Sequence, residues 1–320
     1  MKSSSELTDI YYKELYPALQ ELEKEREDLK YRIIVVGVIY TVITLLIVLA
    51  LFSMQASLDL VVFIGFAYFG IGGFIYKLLT KDYVTNFKDK VISPLIKAID
   101  ENLNYDSQRH VDRLHFERSK LFTSKPDRVR GNDYVYGYID SISLQFSDFH
   151  AEKKHKDSKG RTTWSTMFQG LFIVSEFNKT FHGTTVVLPD TAQSTFGDLI
   201  GNFLQSKNAM RQELVKMDDV EFEKEFVVYS SDQVEARYIL THTLMKKLLD
   251  YKKRTGEDVL VSFTSKNINI AIAYNKDLFE PSIFHSLLKY KVAMEYVQTL
   301  HLATGIVEEL KLNKKLWSKL

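Results

Sequence analysis

Eight histidines and a handful of carboxylates carry whatever acid–base or metal chemistry this chain could perform. The histidines are His110, His115, His150, His155, His182, His242, His285 and His301. No two are four residues apart, the spacing that would aim both imidazoles at one metal from a helix face, and no HExxH occurs. His110 and His115, five apart, would point to different faces of a helix. With no cysteine at all, thiolate zinc sites, iron–sulfur clusters, disulfides and a cysteine nucleophile are excluded. Neither a metal nor a cofactor is expected.

Among the carboxylates, Glu176, Asp190, Asp232 and Glu235 stand near expected strand or helix ends. Glu176, His182 and Asp190 lie close in sequence beside the aromatic and apolar run Phe168–Phe177, and they form the candidate ligand set. Each carboxylate also has a plainer role: Glu176 as a solvated strand residue, Asp190 as a turn residue after Pro189, Asp232 and Glu235 as helix caps. Arg237 is placed to pair with a nearby acid. No nucleophile–base pair, Walker motif, GxSxG elbow or Rossmann fingerprint is present.

Two basic features point toward a membrane surface. Lys153, Lys154, Lys156, Lys159 and Arg161 cluster at an expected hairpin tip, in the plainer case a solvated tip and otherwise a contact for anionic lipid or a partner. The tail Lys311–Leu320 (KLNKKLWSKL) would align Leu312, Leu316 and Leu320 as a helix. Lys314, Lys315 and Trp317 lie beside that stripe, the composition of an interfacial helix or of one docked on its own domain.

The elements that must hold these residues begin with a hydropathy signal. From Ile33 to Leu58, 26 residues carry no formal charge, and a second uncharged run of 17 spans Leu60–Tyr76. A bilayer core of ~30 Å needs about 20 helical residues. The first run suffices, and Leu78 and Leu79 extend the second past a snorkelling Lys77. Gly65, Gly70, Gly72 and Gly73 inside it allow close helix approach, either between the two spans or between protomers. Lys24, Arg26, Lys30 and Arg32 precede the runs; Lys77, Lys81, Lys88 and Lys90 follow them. The connector Ser53–Asp59 has no basic residue, so the positive-inside rule puts both flanks in the cytoplasm.

Helical spacing continues on both sides. Leu15, Leu19, Leu22, Leu29 and Ile33 follow a 4-3-4-3 rhythm interrupted by Arg26, either a short coiled-coil contact or, as two heptads favour, an amphipathic arm packing on the protein's own body. Val84, Phe87, Val91, Leu95 and Ile99 predict a helical stalk through Leu103. The period then changes to two. Strands are expected at Ile142–Phe146, Met167–Phe177, Thr184–Leu188 and Phe226–Tyr229. Two more flank a hairpin at Ser265-Lys266, and Asp157–Gly160 reads as another turn. Phe196–Leu204 and Asp232–Tyr251 are expected helices, the latter opened by a capping box and stopped at Gly256. Pro281 opens a further helix with Ile283, Leu287, Tyr290, Met294 and Val297 in one stripe.

The 320 residues hold 42 Lys+Arg against 41 Asp+Glu, a net charge of +1. Nucleic acid is therefore not an expected partner, because counterion release needs a surplus of cations. The expected fold is α+β, a two-helix transmembrane hairpin with a cytoplasmic antiparallel-sheet domain covered by helices. It divides into a cytoplasmic arm (1–32), the hairpin (33–79), a stalk (80–122), the α+β domain (123–280) and a C-terminal helix with basic tail (281–320).

The stretches Gln169–Asp190 (QGLFIVSEFNKTFHGTTVVLPD) and Glu221–Gly256 (EFEKEFVVYSSDQVEARYILTHTLMKKLLDYKKRTG) resemble an uncharacterised bacterial family. Its members carry two spans before a cytoplasmic α+β domain, and the resemblance runs from the spans to about Pro281. Members are often encoded beside LemA-type membrane proteins, so the resemblance implies an envelope partner of that kind. It brings no activity, catalytic residue or cofactor, and the label galanin that some members carry is a misnomer. The expected function is a membrane-anchored, non-enzymatic interaction or scaffold module at the inner membrane, with both termini cytoplasmic and stripes that admit a homo-oligomer. The alternative is a membrane-tethered small-molecule sensor or enzyme with a pocket in the α+β domain.

Overall fold

A computed structural model describes residues 11–139, 142–176, 180–191, 213–274 and 279–288. The described residues form two compact units. One comprises residues up to Leu95 together with the segment from Phe279; the other runs from Ile96 through the sheet.

The first unit is built on two long helices. Helix α1 (Tyr16–Ser53) has Pro17 in its first turn, where a missing N–H costs nothing, and follows a π turn at Tyr11–Leu15. Helix α2 (Leu58–Phe87) continues through a π turn at Lys88–Ile92 into α3 (Ser93–Ile99). Both α1 and the continuous helix Leu58–Ile99 contain an 18-residue apolar window long enough to cross a membrane, and no residue of either window is buried by protein. A core helix of a soluble protein would be covered there. Beyond the apolar runs the same helices bury a face: Leu15, Leu19, Leu22, Arg26 and Leu29 on α1, and Tyr83, Phe87, Val91, Ile92 and Leu95 on the returning helix. Lys90 bridges to Glu21 at 2.8 Å, and Asn86 bonds Glu25 at 3.1 Å, pinning the pair's register.

The second unit is one antiparallel sheet of nine strands: β1 (Leu103–Asp106), β2 (Arg128–Ile139), β3 (Ile142–Lys156), β4 (Thr162–Glu176), β5 (Thr184–Pro189), β6 (Glu213–Val215), β7 (Phe226–Ser230), β8 (Val259–Thr264) and β9 (Asn267–Ala273). Their order is β1-β2-β3-β4-β9-β8-β5-β7-β6. A single row of directly paired residues crosses eight of them: Val135, Phe146, Ile173, Ile270, Val261, Val187, Val228 and Val215. Every member is 2% exposed or less, so the register is locked, because a one-residue slip would turn the whole row to the other face. On the opposite face Phe149, Phe168 and Phe172 pack with Phe116 of helix α4 (Arg113–Arg118) and with Phe122, ring centroids 4.9–6.1 Å apart.

Three further helices of the unit are among the described residues: α5 (Val220–Glu225), α6 (Gln233–Ile239) and α7 (His242–Thr255). The spacing predicted one helix over Asp232–Tyr251. Instead the chain breaks at Leu240–Thr241, and Thr241 caps a second helix by accepting from the Leu244 amide at 3.3 Å. Gly256 ends α7 in the left-handed conformation (φ 74°), as expected for a C-terminal stop. The stalk helix stops at Ile99, and Leu103 already begins β1. From Pro281 to Leu288 the chain is irregular; the rest of that expected helix, with Tyr290, Met294 and Val297, lies outside the described residues. The expected helix Phe196–Leu204 lies outside the described residues.

Candidate functional site

The three ligand candidates take places set by the sheet. Glu176 ends β4, exposed and opposite Asn267 of β9. His182 precedes β5, exposed, beside the β8–β9 hairpin, where the neighbouring Phe181 amide donates to Ser265 O at 2.5 Å. Asp190 follows β5 at its other end, its amide donating to Glu225 O at 2.9 Å. Six residues of strand at ~3.3 Å each put roughly 20 Å between the two ends of β5. His182 and Asp190 are therefore too far apart to grip one small ligand, whereas Glu176 and His182 share an end of the sheet.

At that end the sequence reading of Glu235 needs correcting. Asp232 does cap α6, accepting from the amides of Val234 (3.0 Å) and Glu235 (2.9 Å). Glu235 does not complete a capping box. Its carboxylate reaches across to accept from the amides of His182 (2.9 Å) and Gly183 (2.8 Å), and the Asp232 amide turns instead to Ser230 Oγ. A carboxylate receiving two backbone amides is a structural clamp, holding the approach to β5 against α6. Arg237 is exposed and makes no ion pair among the described residues.

In the helical unit the interrupted seam position proves to be a buried ion pair. Arg26, 5% exposed, donates from Nε and Nη2 to the two carboxylate oxygens of Glu23 at 3.0 and 2.9 Å. Its Nη1 donates to Ile283 O at 2.7 Å, while Glu23 accepts from the Leu287 amide at 3.0 Å. Lys88, also 5% exposed, meets Glu280 at 2.9 Å from the π turn. With Phe279, Ile283 and Leu287 buried, the segment 279–288 is clasped onto the polar ends of both long helices by one ion pair, two hydrogen bonds to the Arg26–Glu23 pair and three apolar anchors. Nothing in local spacing could have shown this, since the partners are more than 190 residues apart.

Within the apolar stretches, Tyr40 stacks on Tyr68 (centroids 4.9 Å apart) and donates to Tyr68 O at 3.0 Å. Beside the pair is a groove of about 280 Å³ lined by Ile33, Gly37, Tyr40, Phe69, Gly72 and Tyr76 among others. Gly72 alone of the expected small residues meets the opposite span, with Tyr40 Cε1 3.4 Å from where its Cβ would be; Gly65, Gly70 and Gly73 face open space.

The basic cluster sits on a ribbon. The last β2 partner of β3 is Glu152, and β9 pairs with β4 only from Gly170, so residues 153–165 project as two strands alone. Asp157 closes the tip by accepting from the amides of Lys159 (2.9 Å) and Arg161 (2.8 Å), and its ion pair with Arg161 is 2.7 Å long. The Arg161 side-chain hydrogen bond, joined by the Arg161 and Lys159 amides, holds the Asp157 carboxyl below its ordinary pKa. Lys153 bends back to Lys125 O at 2.9 Å and Asp127 at 3.6 Å. Lys156 and Lys159 have no ion-pair partner among the described residues. Trp164, absent from the sequence reading of the cluster, lies opposite Lys154 with the Arg128 guanidinium 4.0 Å above its ring. Glu152 takes Arg128 in a two-bond grip of 2.6 and 2.7 Å. Lys314, Lys315 and Trp317 lie outside the described residues.

A cavity of about 500 Å³ in the sheet unit lies between α5 and the α6–α7 break, lined by Met217, Asp219, Arg237, Thr241, His242 and Met245 among others. Asp219 caps α5 through the amides of Glu221 and Phe222 and meets His242 Nδ1 at 3.4 Å. None of Glu176, His182 and Asp190 lines it. Among the described residues no three His, Asp or Glu side chains converge as metal ligands.

Residues 166–312 match the profile of a family described as "Protein of unknown function (DUF3137)". The match starts inside β4, takes in neither long apolar helix, and extends past Pro281, farther toward the C-terminus than the sequence resemblance reached. Among solved structures the chain is similar to the crystal structure of the mycobacterial trehalose monomycolate transport factor A, TtfA. Identity is 10% and the TM-score 0.32, covering 64% of this chain and 88% of that one. No curated protein matches in sequence.

Proposed function

We propose that this chain, with its DUF3137 region, is a membrane-anchored interaction module whose sheet domain works at the cytoplasmic face of the inner membrane. One observation carries the reading: two apolar helical windows that no part of the protein covers. Such surface is stable only in lipid, and the polar ends of the same helices are held to each other by protein contacts. Basic residues flank both runs and are missing from the connector, which supports cytoplasmic termini. The exposed basic ribbon is the surface available for contact, with a second copy or a LemA-type membrane protein as candidate partners; the stripe of the helical arm is already buried within its own unit. A catalytic role has weaker support, because in the Asp219–His242 pair His242 is 78% exposed and Asp219 already serves as a helix cap.

The test is purification of tagged full-length protein from its native membrane in mild detergent, with mass spectrometry of what is retained. A stoichiometric protein partner is expected. A monomer that retains a small molecule and no protein would overturn the reading in favour of a sensor or enzyme, and Glu176, His182, Asp190 and the Asp219–His242 cavity would then be mutated first.

A further inference from the structure

We propose that one face of the β3–β4 ribbon is a docking surface for anionic phospholipid headgroups. The inference rests on the membrane anchoring argued above and adds a second, charge-dependent contact with the same bilayer. Its basis is how the pleat sorts the basic cluster. Alternation along β3 puts Glu152, Lys154 and Lys156 on one face, and cross-strand pairing adds Arg128, Arg130 and Trp164 to it. Lys153 belongs to the other face and is tied to Lys125 O and Asp127; Arg161 is consumed by Asp157. Five cationic residues thus collapse to fewer, while two arginines from β2 and the nearby Trp164 of β4 join them.

The resulting face carries four cations against one carboxylate around an indole that is 40% exposed. Glu152 accepts from Arg128 and lies 3.3 Å from Arg130, so it fixes the arginines without cancelling the face. Lys154 lies 5.9 Å from the Trp164 ring and, like Lys156 and the tip residue Lys159, has no ion-pair partner among the described residues. Trp164 is braced by Arg128 at 4.0 Å and therefore presented rather than folded away. Long flexible ammonium groups around an amphipathic ring suit a layer of phosphates with glycerol and acyl carbon just beneath. The chain as a whole has a charge of only +1, so this face is a local concentration of charge rather than a sample of the average surface. A nucleic acid or an acidic protein would also answer the charge. Lipid is favoured because the proposed anchor tethers the sheet unit to a bilayer, which raises the effective concentration of that partner.

The experiment uses the full chain with Trp317→Phe, leaving Trp164 as its one tryptophan, inserted into nanodiscs containing spin-labelled phosphatidylcholine that quenches at shallow depth. Discs of phosphatidylcholine alone are compared with discs containing about one third phosphatidylglycerol. Trp164 quenching is expected only in the anionic discs. It should vanish at about 1 M salt, where the Debye length falls to about 3 Å. Lys154→Ala should weaken the contact about fivefold, and the triple variant K154E/K156E/K159E should abolish it with insertion unchanged. If the chain inserts equally into both discs and Trp164 is quenched in neither or equally in both, the headgroup proposal is overturned while the anchoring stands. Protection of Trp164 by added RNA or an acidic polypeptide but not by anionic lipid would likewise overturn it. If the chain fails to insert at all, the anchoring fails and takes the proposal with it.

Discussion

Removing the Arg26 guanidinium should open the clasp between segment 279–288 and the long helices. The Arg26 and Glu23 side chains are 6% and 12% exposed, so neither charge has water to fall back on. Arg26→Met deletes two hydrogen bonds to Glu23 and one to Ile283 O, leaving the carboxylate with the Leu287 amide as its one backbone donor. Stranding a buried charge in this way costs about 3–5 kcal/mol, whereas removing both partners together costs far less. The double variant Arg26→Met/Glu23→Met should therefore recover most of the loss, retaining a deficit of about 1–2 kcal/mol for the unpaired Ile283 carbonyl and Leu287 amide. Because the chain has no cysteine, Leu287→Cys, at a position 1% exposed, gives a clean reporter of segment opening by thiol labelling in mild detergent. At one tenfold step per 1.4 kcal/mol, Arg26→Met should accelerate labelling roughly hundredfold or more, and the double variant by about tenfold. Equal labelling of the single variant and parent, or equal labelling of single and double variants, would refute the coupling.

Other consequences follow from the sheet unit. Glu235→Gln can accept only one of the two amides now clamped, so the urea midpoint should fall by an amount equivalent to about 1–2 kcal/mol, and Glu235→Ala by more. Burial holds the His115 imidazole below its ordinary pKa, with the Asp112 charge opposing and the Arg118 charge assisting. The unfolded chain therefore binds the extra proton first, and stability should decline as pH falls from 7 through the unfolded value of about 6.5. Urea titrations followed by circular dichroism at pH 7 and pH 5 should show that decline, and His115→Gln should remove its share. Gly131→Ala would place a Cβ 2.2 Å from Asp148 O and 2.8 Å from His110 Cβ, across the β2–β3 pairing. We expect a loss of about 1–3 kcal/mol, read as a lowered melting temperature.

What the sequence showed depended on whether the signal was local. Uncharged runs marked both long helices, and strict alternation at Val259–Phe263 and Ile268–Ile272 marked the β8–β9 hairpin with its turn at Ser265. Strand β2 was missed because a bulge at Asp133, with φ 59°, breaks the alternation between Asn132 and Val135 and hides twelve residues of strand. The α6–α7 break was missed because helical periodicity continues on both sides of Thr241. Of the residues bearing on function, the ribbon lysines were legible as a charge cluster. Arg128 and Trp164 were not, since they meet only through two strand pairings. Arg26 looked like a defect in an apolar rhythm until Glu23 and the distant segment 279–288 supplied its partners. Glu235 was spaced for a cap, and only the tertiary path of His182 and Gly183 diverted it.

We propose that the long helices cross a bilayer as a hairpin with the sheet unit on its cytoplasmic side. Met54, 77% exposed in the connector, and Ser158, exposed at the ribbon tip, report the two sides once replaced one at a time by cysteine. In intact cells an impermeant maleimide should label Met54→Cys, and it should reach Ser158→Cys only after the membrane is permeabilised. Labelling of Ser158→Cys in intact cells, or protection of Met54→Cys until permeabilisation, would contradict the arrangement proposed.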